Sequence, residues 1–187
     1  MTNISIVYYS GFGHTKKVAE HVAMGAKISD NTVVHLIEIS KEGQLSEADW
    51  NHLHEADTII FGTPTYMGNV AGPFKMFVDQ TARIFAMGKW KDKYAAGFTN
   101  SGSLSGDKQT TLFALVTLAC QHGMIWISGG VPSNGKDISS INRVGGTIGL
   151  MTQSDDASPE ETPKEGDLET ARLFGTRVAE FTLNGRK

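Results

Sequence analysis

The sequence predicts an α/β fold, a parallel sheet of five strands with helices on both faces, built as one domain of 187 residues. Three observations carry that expectation. Five short apolar runs recur at fairly regular intervals, most of them followed by Gly, Ser or Pro. Helical patterns lie between them. The first, third and fifth runs are almost continuously apolar, as strands covered on both faces must be.

The runs are Ile4–Tyr9, Val33–Ile39, Thr58–Gly62, Tyr94–Thr99 and Met124–Ser128. Between the first two, His14–Ala26 sets Val18, Val22, Ala23 and Ala26 on one stripe and Lys16, Lys17 and Glu20 on another. A second helix is expected from Ser46 to Glu55, with Ser46 and Asp49 placed as a capping box. Pro73–Met87 follows, with Pro in the first turn where its missing N–H costs little. Asp107–Gln121 carries Leu112, Leu115, Val116 and Ala119, and Asp167–Leu183 repeats Ala171, Phe174, Val178 and Phe181. One segment breaks the rhythm. Residues 129–166 are rich in Gly, Ser, Asp and Pro and form a long loop, expected to be functional and to cover a site or an interface. Within it, the stretch from Asp155 to Pro163 reads as mobile and solvated.

Composition narrows the function classes. Seventeen Lys and Arg against 20 Asp and Glu leave a net charge of −3, which speaks against nucleic acid as a partner. A single cysteine excludes an intramolecular disulfide and argues against a thiolate metal site. The six histidines show no metal spacing beyond His52-x-His54, and no metal is expected. No apolar stretch approaches a membrane span and no signal core precedes the first strand, so a cytoplasmic protein is the expectation.

Three loops carry candidate chemistry. Ser10-Gly11-Phe12-Gly13-His14-Thr15 joins the first strand to a helix, offering two hydroxyls and free amides at a positive helix end. It fits neither a Walker A motif nor a dinucleotide fingerprint, and suits one terminal phosphate. Pro64-Thr65-Tyr66-Met67-Gly68-Asn69 follows the third strand, with a stiff exit, a flat apolar surface and a Gly where backbone can come close. Asn100-Ser101-Gly102-Ser103-Leu104-Ser105 follows the fourth, small and polar enough for its amides to meet a planar heterocycle. Leu104 stands where a nucleophile elbow requires Ser, so hydrolase chemistry is not supported. In a doubly wound sheet of order 2-1-3-4-5, the first and third strands flank the switch point, and ligands lie beyond their carboxyl ends. Taken singly, each loop could be an ordinary turn; two at one crevice weigh more than either.

At these loops, with Phe77-Val78-Asp79-Gln80-Thr81, Gln109-Thr110 and His122-Gly123-Met124, the chain resembles the flavodoxin-like family. It is most similar to the tryptophan-repressor-binding-protein type of NAD(P)H:quinone oxidoreductase, over roughly residues 4–130. The resemblance implies a flavodoxin-like three-layer α/β/α sandwich binding FMN. The phosphate would lie at Ser10–Thr15 and the ring between Pro64–Asn69 and Asn100–Ser105. Phe12, Tyr66 and Phe85 would meet the alternating substrates. Gln121-His122 stands where the family has a His-His pair that touches flavin, and both are counted with the cofactor residues. Tyr66 replaces a frequent Arg, Phe85 a usual Trp, and Leu104-Ser105 a run of Gly. The flavin, rather than a catalytic side chain, would carry electrons from NADH or NADPH to a small quinone. The family also implies a homodimer or homotetramer. Two alternatives stand beside this reading: a flavodoxin-type carrier serving a protein redox partner, and a reductase of nitro or azo compounds.

Overall fold

A computed structural model describes residues 1–185. The chain runs β1 (Thr2–Tyr8), α1 (His14–Ala26), β2 (Thr32–Glu38), α2 (Glu47–Glu55), β3 (Thr58–Tyr66) and β4 (Asn69–Val70). It continues through α3 (Gly72–Gln80), α4 (Ala82–Ala86), β5 (Tyr94–Ser101) and α5 (Lys108–Gln121). The last elements are β6 (Ile125–Trp126), β7 (Leu150–Gln153) and α6 (Glu165–Asn184). The sheet order is β2-β1-β3-β5-β6, all parallel, with β7 also on β5 and the short β4 antiparallel to β3.

Alternation within each strand builds the two cores. Ile4, Ile6 and Ile60 face α1 and α6, where Val18, Val22, Phe174 and Val178 close a buried layer. Val7, Ile59 and Phe61 face the other way, onto Phe74, Phe77, Trp90, Leu112 and Leu115. The α1 and α6 backbones touch. A Cβ on Gly25 would strike the Arg172 carbonyl, and one on Gly175 would strike that of Val22, so only glycine permits this approach. At the start of α2, Ser46 and Asp49 form the expected reciprocal capping box.

Four boundaries differ from expectation. β3 continues past Gly62 to Tyr66, and β5 past Thr99 to Ser101, because the two remain paired through Thr63↔Thr99 and Pro64↔Asn100. Pro64 is tolerated there because the β1 pairing ends at Tyr8↔Gly62, which leaves its nitrogen on an unpaired edge. The helix expected over 73–87 is two, broken at Thr81, whose hydroxyl donates to the Val78 carbonyl at 2.7 Å. The fifth strand position is shared. β6 pairs with Tyr94 and Ala95, β7 with Phe98 to Ser101, and residues 127–149 loop out between them. Periodicity could not reveal β7, because its four residues follow a Gly-rich insertion. The stretch from Asp155 to Pro163 is not simply solvated either. Asp155 and Asp156 are exposed, but Thr162 and Pro163 are buried and the segment packs against the start of α1.

Candidate functional site

The carboxyl ends of β1, β3 and β5 open into one cleft of about 500 Å³, within the range of small-molecule sites. Its floor and walls are Gly11, Phe12, His14 and Thr15 from the first loop, Pro64, Thr65 and Tyr66 from β3, and Asn100, Ser101 and Gly102 from β5. Ser154, Asp155, Asp156, Ala157 and Pro159 complete it from the fourth side. Sequence reasoning singled out none of those five by residue, although it expected the 129–166 loop that holds them to cover a site or an interface. The one signal was that the long loop leaves the same end of the sheet.

The first loop is wound around a serine. Ser10 Oγ accepts from the amides of Gly13 and Lys16, each at 3.1 Å. Gly13 has φ 91°, and the next amides, His14 and Thr15, open α1 without intrahelical partners. No acidic residue stands in that first turn, so α1 itself leaves its positive end free of a carboxylate, while Asp155 and Asp156 line the same cleft. The donor set fits a terminal phosphate. Gly11 is required by its neighbour: a Cβ there would lie 2.5 Å from the Tyr66 hydroxyl.

Tyr66 and Phe12 stand edge to face with centroids 6.3 Å apart, making an aromatic wall at the cleft mouth. Phe12 is 76% exposed. Burial, and then Tyr9, raises the Tyr66 phenol above its ordinary pKa. Beyond Tyr66 the chain reverses through Met67 (φ 48°) and Gly68 (φ 74°) into β4. Two consecutive left-handed residues make a two-residue hairpin turn, in which Met67 is strained and fully exposed.

The base of the cleft is a net of buried hydroxyls. Thr65 Oγ1 lies 2.8 Å from Thr99 Oγ1 and donates to Thr111 Oγ1 at 2.8 Å. Asn100 Oδ1 accepts from Thr152 at 2.8 Å and Ser154 at 3.1 Å, tying β7 to the β5 end.

Gly13 lies beside the cleft, against its lining residue Pro159. Other predicted residues lie away from it. Ser103 and Leu104 turn their carbonyls to Lys108, while Leu104 and Ser105 line a second cleft of about 670 Å³. Asn69 and Gln121 line an apolar groove between α3 and α5. His122 is buried, its Nε2 2.9 Å from Thr81 Oγ1 and its ring 4.6 Å from Trp90; Phe85 meets it edge-on at 6.1 Å. Burial lowers the His122 pKa. This chain therefore does not bring Phe85, Gln121 and His122 to its own cleft. Among the described residues no cluster of three metal-ligating side chains occurs, and no helix is long and apolar enough to cross a membrane.

Comparison with known proteins agrees with this geometry. The family described as NADPH-dependent FMN reductase matches residues 11–137. Flavodoxin FldP of Pseudomonas aeruginosa is 45% identical over 182 residues, covering 96% of each chain. A flavodoxin, WrbA-like protein from Agrobacterium tumefaciens superimposes with TM-score 0.81 at 44% identity, covering 98% of this chain and 99% of that one. A flavodoxin from the domain Archaea, at 23% identity and TM-score 0.66, shares the fold, covering 96% of this chain and 99% of its own. FMN is the cofactor to which these matches point, and the phosphate-suited first loop and planar-walled cleft fit it. The chain belongs to the NADPH-dependent FMN reductase family of flavodoxin-like proteins.

Proposed function

We propose that the protein is an FMN-dependent oxidoreductase of the tryptophan-repressor-binding-protein type, passing two electrons from NADH or NADPH to a small quinone. The observation that carries the reading is the open mouth of the cleft, where Phe12 and Tyr66 present an exposed aromatic wall to an incoming planar molecule. When bound, FMN supplies the two-electron chemistry. The chain supplies position and charge. Ser10 orders the amides that face a phosphate, and the positive end of α1 stabilises its charge. The hydroxyl net behind Thr65 and Asn100 keeps the inner wall rigid. The 154–159 segment shields the phosphate end from water, anchored through His14.

Phe85 and Gln121, which are exposed, could reach a flavin only on another copy of the chain, consistent with a homodimer or homotetramer whose neighbours complete each site, with the buried His122 supporting them from behind. Their separation from the cleft within one chain is the reason for that reading.

A carrier serving a protein partner is the second reading. The name of the Pseudomonas relative favours it, as do the exposed apolar side chains Phe12 and Met67, which are 76% and 102% exposed. Anaerobic half-reactions separate the two. FMN-loaded protein bleached rapidly by NADH or NADPH and reoxidised by benzoquinone supports the oxidoreductase. A flavin that stays oxidised with both nucleotides, yet is reduced by a reductase protein, supports the carrier.

A further inference from the structure

Lys108, the first residue of α5, has no role in the sequence reading and is almost wholly enclosed at 1% exposure. Its Nζ donates to Ser101 Oγ at 2.8 Å and to the carbonyls of Ser103 and Leu104 at 2.8 and 2.9 Å. Three donors meet three acceptors, and none is a carboxylate. A buried ammonium is ordinarily paired with an anion. The ionic groups acting on it, Arg143 and Asp167, are committed to each other at 2.8 Å and are themselves buried. With Lys108 protonated, this cluster holds two positive charges and one negative.

The location gives that surplus a direction. Ser101 and Gly102 line the FMN cleft; Leu104 and Ser105 line the cleft on the other side. The 101–105 strap separates them, and Lys108, which borders the second cleft, reaches the first through its bond to Ser101. A trans peptide sets its N–H opposite its C=O, so the amides of Leu104 and Ser105 turn away from the ammonium. A positive charge in a poorly screened wall stabilises negative charge across it. Two electrons and one proton added to a neutral flavin ring leave it anionic, so reduction creates the charge that such a wall favours.

We propose that Lys108 is a positioning residue that shapes the 101–105 strap and, through its ammonium, biases bound FMN toward the reduced, anionic form. The inference needs FMN binding alone and is independent of which donor or acceptor is used. Burial lowers the Lys108 amine to about 8, with Asp167 of α6 acting to raise it and Arg143 of the long loop to lower it. The bias is therefore present below that pH and fades above it. Asp107 beside it, Asp155, held through Gln153, and Asp156, which lines the FMN cleft with Ser101 and Gly102, are the other charged groups near the strap.

The test is the dissociation constant of oxidised and of dithionite-reduced FMN, followed from pH 6.5 to 9.5 in wild type, Lys108→Met and Lys108→Arg. In Lys108→Met the reduced-to-oxidised ratio is expected to rise about tenfold, and Lys108→Arg to retain most of the wild-type ratio. In wild type the ratio is expected to rise as pH passes 8, and in Lys108→Met to lose that rise. Equal weakening of both oxidation states in Lys108→Met, or no change, would overturn the proposal. Should that variant not fold, a flat wild-type ratio between pH 7 and 9 would overturn it equally. Failure of wild type to bind FMN in either state would remove the cofactor reading and this inference together.

Discussion

His14 Nε2 donates to the carbonyl of Ala157 across 2.8 Å, joining the first helical residue of α1 to a segment 143 residues away. This bond holds the fourth wall of the cleft against the phosphate end. One hydrogen bond of this kind contributes about 1 kcal/mol. His14→Ala is expected to weaken FMN binding about fivefold in a fluorescence titration while leaving the melting temperature near wild type. Unchanged affinity would show that the 154–159 segment closes without it.

Gly11 and Tyr66 form a second such pair. Gly11→Ala forces the tyrosine ring aside, because the new Cβ would lie 2.5 Å from its hydroxyl but 3.5 Å from Cζ. Gly11→Ala is expected to lower FMN affinity several-fold, and adding Tyr66→Phe to restore most of it. A double variant as weak as Gly11→Ala alone would place the strain elsewhere.

Arg143 and Asp167 are buried together, at 8% and 1% side-chain exposure, and Asp167 also accepts from the Gln153 amide at 2.9 Å. Removing one member of a buried pair leaves its partner uncompensated. Asp167→Asn is expected to cost about 3 kcal/mol in urea unfolding. A loss under about 1 kcal/mol would mean that water reaches Arg143.

Acid should destabilise the protein through its histidines. Burial lowers the folded-state pKa of His122, and of His21, His35 and His54, below the ordinary 6.5. The unfolded chain then takes up protons first. Stability is expected to be level between about pH 7 and 8, above which Lys108 begins to titrate, and to fall as pH drops below 6.5, by at most about 1.4 kcal/mol per pH unit for each such group. The fall ends where each folded-state histidine itself protonates. His122→Asn is expected to shallow this slope between pH 6.5 and 5 in urea midpoints; an unaltered slope would assign it to the other three.

β1 and β3 were legible as strands because both of their faces are buried, Ile6 and Ile60 on one side and Val7 and Phe61 on the other, which makes the runs continuously apolar; their order in the sheet came with the flavodoxin-like resemblance and not from the pattern. α1 and the Ser46 capping box were legible because caps and stripes are local signals. The extension of β3 through Pro64 was not, since an unpaired edge exists only once β1 has ended. The split fifth strand and the 154–159 wall were hidden for a related reason. Their partners, Phe98–Ser101 and His14, are distant in sequence, and no local pattern encodes them. Lys108 read as an ordinary helix residue because its acceptors are one hydroxyl and two carbonyls, which no composition reveals.

Amide hydrogen exchange with and without FMN tests the central claim most directly. The account predicts slowed exchange in 10–16, 64–69, 100–105 and 154–160 on FMN binding, reporting one cleft closed from four sides. Protection confined to other segments, or exchange in 154–160 unaffected by saturating FMN, would contradict it.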